Sequence, residues 1–352
     1  MVGNLRNPRY LGYLRSPSHP SALIRFIGIL ALWLLASATH AQRDDAQTRA
    51  LERAGKAVLG LEVSAVEGAH SASTLGRRRQ GSGVLIGDGL VLTIGYLVLE
   101  AETVELVHDD GRRVPARLLA YDLATGFGLV QALVPLNLEP VPLGMSNTLA
   151  DDEPLIVTSG GRQGAASFAR LLSRRDFSGY WEYHIEGALF TNPPRGDHSG
   201  AGLFNARGEL VGIGSLVVAN AAAPGQVRRP GNMFVPVDLL KPVLAELREW
   251  GSSRASTRAW LGLNCAEHED EVRVLRISNE SPAEAAGMRA GDRIVSIDGT
   301  AVADLAQLWK ALWAGGSAER VVRLEIERGG QAQTLMLQSV DRSQVLRRAR
   351  SI

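Results

Sequence analysis

A single cysteine, Cys265, stands in a chain of 352 residues. One thiol rules out an internal disulfide and any cysteine-based metal site, and it reads as a small buried packing residue. The 7 histidines are scattered without metal-ligand spacing, so the residues call for no metal and no cofactor. Charge of either sign is not in excess: 38 Lys and Arg stand against 37 Asp and Glu, for a net charge of +1. That balance gives no electrostatic case for nucleic acid as a partner. No internal repeat is present. What is there is ordinary for a folded globular chain, 45% hydrophobic and 21% charged, and the length fits two domains.

The N-terminus has a pattern of its own. Arg6, Arg9, Arg15 and Arg25 precede "FIGILALWLLA", Phe26 to Ala36. A membrane-spanning helix needs about 20 apolar residues, and this run is shorter. A basic lead, a short apolar core and the small residues that follow make residues 1–41 a secretory signal peptide, with cleavage after Ala38 or Ala41. The alternative is that the segment stays as an inner-membrane anchor. Either way the rest of the chain is expected in the periplasm.

Asp44 and Asp45 sit where a helix cap belongs, ahead of apolar residues at helical spacing. From about Leu61 to Val237 the pattern changes to short apolar or alternating runs between Gly, Asp and Asn turns. That is the signature of an all-β domain, and its length fits two small barrels. "VDLLKPVLAELREWG", Val237 to Gly251, reads as an amphipathic closing helix. "SSRASTR" at 252–258 is polar and small, the composition of a linker. A compact module covers 259–340, followed by a basic tail at 341–352 whose end, "RRARSI" from Arg347 to Ile352, reads as solvated.

The runs "GSGVLIGDGLVLT", "HDDGRRVPARLLAYD", "GELVGIGSLVV" and "NMFVPVDLL" together resemble the HtrA/Deg-type, trypsin-like serine proteases. The resemblance covers most of Leu51 to Trp250 and implies a mainly β fold, a chymotrypsin-like double β-barrel over 42–251. Catalysis on that fold uses a serine nucleophile, a histidine base and an aspartate that orients the histidine. In "RGDHSGAGLF", Arg195 to Phe204, Ser199 takes the nucleophile position. In "VLTIGYLV" the histidine position is Tyr96. In "DLATGFGLV" the aspartate position is Gly126, and Asp122 matches the family's first, non-catalytic acid.

Tyrosine ordinarily titrates near pH 10, so Tyr96 is a poor base for a serine, and Gly126 has no side chain to offer. Losing the base alone costs a serine protease about 10⁶ in turnover. Asp197 and His198 form the oxyanion loop. A carboxylate at Asp197 is expected to oppose the negative charge that an oxyanion hole must hold. A replacement base would have to come from His184 or from His198. His108, with Asp109 and Asp110, reads as a hairpin turn on the far side of the first barrel.

"RAWLGLNC", Arg258 to Cys265, and "SPAEAAGMRAGDRIVSIDGTAV", Ser281 to Val302, resemble an HtrA-type PDZ domain of α+β architecture. The resemblance makes Leu261, Gly262 and Leu263 the carboxylate-binding loop. The strand after the loop is expected to offer an edge to an extended peptide. "DLAQLWKALWAG", Asp304 to Gly315, reads as the helix on the other side of the groove. Where the family often carries a helical insertion after this strand, only "AEHED" remains.

These readings imply an exported HtrA-like pseudoprotease that binds polypeptide segments or protein C-termini. The setting would be envelope quality control or the regulation of an active relative. A homotrimer, or co-assembly with that relative, is the partner arrangement the family implies. The competing expectation is an active serine endopeptidase that uses Ser199 with a non-standard base.

Overall fold

The computed structural model describes residues 47–347. The expected signal peptide at 1–41, the caps Asp44 and Asp45, and residues 348–352 lie outside them. Among the described residues no helix is long and apolar enough to cross a membrane.

The first six strands are β1 (Val58–Ala65), β2 (Arg78–Leu85), β3 (Leu90–Ile94), β4 (Ala101–Val107), β5 (Arg113–Tyr121) and β6 (Phe127–Ala132). They close into a barrel in the order β1-β2-β3-β6-β5-β4. The next six are β7 (Pro154–Thr158), β8 (Ala166–Ser178), β9 (His184–Asn192), β10 (Gly202–Phe204), β11 (Leu210–Val218) and β12 (Gly231–Pro236). They close in the order β10-β11-β12-β9-β8-β7. Closure leaves no free sheet edge, so the short apolar runs of the sequence are paired on both sides. Leu59, Leu92, Leu106, Phe127, Phe190 and Phe204 are fully buried in the core the barrels share. Fully burying a side chain of that size contributes about 1.5–3 kcal/mol.

The chain then forms β13 (Ala259–Trp260), β14 (Leu263–His268), β15 (Glu271–Ile277), β16 (Arg293–Ile297), β17 (Thr300–Ala301), β18 (Val321–Arg328), β19 (Gln331–Gln338) and β20 (Val340–Asp341). The main sheet runs β14-β15-β16-β18-β19, with β17 paired to β16. A helix, Leu305–Ala314, packs beside it. Its N-cap Asp304 accepts from the Gln307 N–H at 2.7 Å, and Leu305, Leu308, Trp309 and Leu312 are its buried face. The shortened "AEHED" segment becomes a tight hairpin, with Glu269 and Asp270 both at positive φ. The fold is thus mainly β, two barrels and then a PDZ-type α+β module.

Three expectations need correction. The closing helix covers only Leu244–Trp250, with a 3₁₀ turn at Val237–Leu239 before it. Pro242 lies between them and disfavours helical backbone at the residue before it. Residues 252–258 are not a free linker. The Ser253 and Ser256 hydroxyls both donate to the fully buried Asp122 carboxylate, and the Leu123 N–H donates back to Ser256 at 2.8 Å. The described part of the tail is not a loose end either. Val340–Asp341 pairs with Ala259–Trp260, and the Arg347 N–H donates to Glu100 at 2.9 Å. The Arg347 side chain stays exposed, as its basic surroundings suggest, while its backbone is tied to the buried Glu100 carboxylate.

Candidate functional site

Ser199 lies on the loop that leads into β10 of the second barrel. The Ser199 carbonyl accepts from the Ser82 N–H of the first barrel at 2.8 Å, so the loop is stitched across the interface. The turn needs glycine at 200. Its φ is +74°, and a Cβ there would collide with the Ser82 carbonyl. One amide side chain holds the upstream end: Asn232 accepts from the Arg195 N–H at 2.7 Å and donates to the Arg195 carbonyl at 3.0 Å. The backbone of a nucleophile loop is therefore in place.

Tyr96 reaches the loop from a short helix, Gly95–Val98, that follows β3. The Arg79 guanidinium steadies this helix by donating to the Tyr96 carbonyl at 3.0 Å and the Leu99 carbonyl at 2.6 Å. The phenolic oxygen lies 2.7 Å from Ser199 Oγ and 2.9 Å from the Ser215 carbonyl oxygen. A phenol has one proton and a carbonyl can only accept. When both bonds form, the Tyr96 proton goes to Ser215 and the Ser199 hydroxyl donates to the phenol oxygen. Burial pushes the Tyr96 phenol up to about 12, and the hydrogen bond with Ser199 offsets only part of that. The group beside the serine is a protonated phenol at neutral pH, unable to take the serine proton.

Gly126 faces this site from the turn before β6. The Gly95 N–H donates to the Gly126 carbonyl at 2.7 Å, one residue from Tyr96. The space a side chain would need is filled. A Cβ on Gly126 would lie 2.6 Å from the Tyr183 hydroxyl, and φ is +78°. Tyr183 is buried and donates to the Thr125 carbonyl at 3.2 Å.

The expected opposition from Asp197 does not take the form the sequence suggested. Its carboxylate is drawn to Arg195, with Nε donating at 2.9 Å and an Nη at 2.5 Å, and to the Ser159 hydroxyl at 2.5 Å. Partial burial works against the charge, but these donors win and hold the carboxyl below its ordinary range. A bidentate guanidinium two residues away was not foreseen, because the i, i+2 pair meets only through the loop's turn.

None of the candidate bases hydrogen-bonds to the Ser199 hydroxyl. His198 Nδ1 pairs with the Arg195 carbonyl at 3.1 Å, so Nδ1 carries the proton and the ring is tied to its own loop. His184 Nδ1 pairs with Ser178 Oγ at 2.8 Å at the base of the β8–β9 hairpin. His108 lies in the β4–β5 turn beside Arg112 at 3.0 Å.

The loop Leu261–Leu263 converges its N–H groups on a carboxylate. That carboxylate is Glu182, from the tip of the β8–β9 hairpin. Gly262 N–H donates to Oε1 at 2.7 Å and Leu263 N–H at 2.9 Å, and Leu261 N–H lies 3.2 Å from both oxygens. Gly262 has φ +85°, and a Cβ there would run into Ser281. Glu182 is 6% exposed. Burial pushes it up to about 7; the loop's donors and the charge of Arg342 recover only part of that. Beside it, the Cys265 N–H donates to the Tyr180 carbonyl at 2.6 Å, Trp181 pairs antiparallel with Asn264, and Trp309 Nε1 donates to the Gly179 carbonyl at 3.0 Å. Cys265 itself is fully buried in the PDZ core.

Sequence reasoning missed Glu182, Tyr183 and Arg195. One signal was available. In "GYWEYH" a lone carboxylate stands among aromatic residues, and a buried carboxylate needs donors.

Two closed six-stranded barrels with a serine loop at their interface, followed by a module with a convergent N–H loop, define a class: a trypsin-like peptidase domain joined to a PDZ domain. The family descriptions agree, with a trypsin-like peptidase domain matching residues 81–213 and a PDZ domain matching 259–338. The relatives are HtrA-type. The chain is 26% identical to the putative serine protease HhoA of Synechocystis over 74% of its own length and 70% of that protein. It is 27% identical to the periplasmic serine endoprotease DegP of Salmonella typhimurium over 75% of its length and 58% of that protein. The chain spans between half and 70% of the curated relatives it matches. Among solved structures, the HtrA-type protease AlgW with a decapeptide aligns at a TM-score of 0.52 and 20% identity, covering 84% of this chain and 98% of that one. The serine endoprotease from Yersinia pestis aligns at 0.52 and 19%, covering 84% and 97%.

Proposed function

We propose that this chain is an HtrA-like pseudoprotease of the periplasm. It keeps the protease fold as a scaffold and binds polypeptide segments or C-termini, in envelope quality control or in regulation of an active relative. One observation carries the reading: the Ser199 hydroxyl faces a protonated Tyr96 phenol, with no histidine among the described residues hydrogen-bonded to it. The space behind it, where an orienting carboxylate would stand, holds the Tyr183 hydroxyl. Two changes thus act together. The base position has no basicity, and a phenol needs no partner to set its tautomer. The retained loop backbone keeps the cleft's shape without its proton chemistry.

The test compares wild type with Ser199→Ala. A fluorophosphonate probe is expected to label neither protein, and casein to stay intact with both. Labelling that depends on Ser199, together with casein cleavage, would establish an active endopeptidase instead. The phenol–serine bond is a single part-buried hydrogen bond between neutral groups, and the phenol keeps its bond to the Ser215 carbonyl, so Ser199→Ala is expected to change stability by only about 1 kcal/mol in a thermal melt.

A further inference from the structure

The PDZ carboxylate loop is occupied, and its occupant belongs to the same chain. The segment Gly179–Glu182 lies along β14 in the direction that a polypeptide terminus would take. Tyr180 pairs with Cys265, then Trp181 with Asn264, and the Glu182 carboxylate arrives at the N–H groups of 261–263. The chain thus runs antiparallel to β14 toward the loop and delivers an anion to its end. A residue kept there only for adhesion would be apolar, since burying a carboxylate is costly unless donors meet it. Here its partners are the backbone donors of the binding loop itself.

We propose that Gly179–Glu182 is a built-in competitor for the PDZ groove, and that polypeptides with a free C-terminal carboxylate enter only by displacing it. The proposal rests on the reading of this chain as a polypeptide binder. An incoming terminus would need the same N–H groups of residues 261–263 and the same edge of β14, so the two occupants exclude each other. Displacement is structurally local. The barrel pairing of β8 with β9 ends at Ser178 and His184, and the segment is the hairpin tip beyond them. Tyr180 is 55% exposed, so the tip already borders solvent. Its release breaks the contacts to the loop, to Asn264, Cys265 and Trp309, and the stacking of Trp181 on Tyr183, but no strand pair of the barrel. A tethered segment whose own Kd for the groove is about 10 μM, acting at an effective concentration of about 1 mM, weakens the binding of an incoming peptide roughly 100-fold.

The experiment uses the full chain as wild type, Glu182→Ala and Glu182→Gln. Each is presented to decapeptides randomised over the last four residues, with free carboxylates, and to the same peptides amidated. Selected binders are titrated, and amide hydrogen exchange is followed over residues 261–265. Glu182→Ala is expected to bind free-carboxylate peptides about 100-fold tighter than wild type, to bind amidated ones poorly, and to exchange faster over 261–265. Glu182→Gln should fall between. It keeps one oxygen for Gly262 and Leu263 but sets an amide N–H₂ against Leu261, and it carries the comparison if the alanine variant does not fold. Equal affinity of all three proteins for the free-carboxylate peptides would overturn the competitor and leave the polypeptide-binding reading standing. No binding by any of them, with faster exchange in the variants, would overturn both for this groove. Exchange over 261–265 unchanged by either variant would show that Glu182 does not hold the loop and would overturn the competitor alone.

Discussion

The cleft and the PDZ loop are both built to meet a negatively charged oxygen, and they have diverged in opposite ways. In the cleft the loop backbone is held in place, and the side chain bonded to Ser199 is a phenol. Gly200 makes its turn, and Tyr96 and Gly126 stand where the resemblance implies a base and its orienting partner. In the PDZ loop the backbone donors persist and are satisfied, by Glu182 of the same chain. A catalytic site depends on the identity of a few side chains, so single substitutions end its chemistry. A loop of N–H groups depends only on backbone shape, and it binds whatever carboxylate the fold delivers.

The sharpest way to break this comparison is at Asp122, which joins the two regions. It accepts from Thr125 beside Gly126 and from Ser253 and Ser256 ahead of the PDZ module. Asp122→Ala strands these buried donors and is expected to cost about 3 kcal/mol or more. A chemical-denaturation midpoint lowered accordingly, with exchange accelerated over 252–258, would bear this out; an unchanged midpoint would refute the role of Asp122 as an anchor.

Next in size is an attempt to restore the triad by letters. Gly126→Asp puts a side chain at φ +78° and 2.6 Å from the Tyr183 hydroxyl. Strain and collision together are expected to cost on the order of 2–3 kcal/mol. The double variant Tyr96→His/Gly126→Asp should therefore melt lower than wild type and should not cleave casein. Recovery of proteolysis in that variant would mean that Tyr183 yields easily, and that the cleft was lost through side-chain identity alone.

The smallest expected effect is a pH dependence of the occupied loop. Glu182 is raised to about 7 from an ordinary value of 4.5, chiefly by burial. Between those values the folded protein holds a proton that the unfolded chain has released. This group's contribution is therefore fullest below about pH 4.5 and is lost as pH rises through 7. The loss should amount to roughly 1–2 kcal/mol between pH 5.5 and 7.5, and it should vanish in Glu182→Gln. Wild-type and Glu182→Gln melting curves that run parallel across this range would count against it.

Local patterns made much of the molecule legible. Alternating runs between Gly and Asp turns mark the barrels, and "SPAEAAG" marks a capped turn in which Ser281 accepts from the Glu284 N–H at 3.2 Å. The positions of Ser199, Tyr96 and Gly126 follow from the order of neighbouring motifs. Composition did not reveal the bonds that tie 252–258 and the Arg347 backbone, because their acceptors are buried and distant in sequence. Asp122 and Glu100 are those acceptors, and each lies more than 130 residues from at least one of its donors.

The sequence by itself determined an all-β region long enough for two barrels and a compact module after it, because strand period, turn chemistry and helix caps are short-range properties; the resemblance of its motifs supplied the trypsin-like and PDZ architecture. It also placed Tyr96 and Gly126 at the positions where the resemblance implies a base and its orienting partner. Only the tertiary structure decided the partners: a tyrosine hydroxyl in the space beside Gly126, a guanidinium on Asp197, and a glutamate in the carboxylate loop. Glu182 meets Gly262 across 80 residues of chain. No local pattern encodes that meeting. It arises because β8 and β9 extend a hairpin from the second barrel and the Asp122 anchor holds the PDZ module beneath its tip.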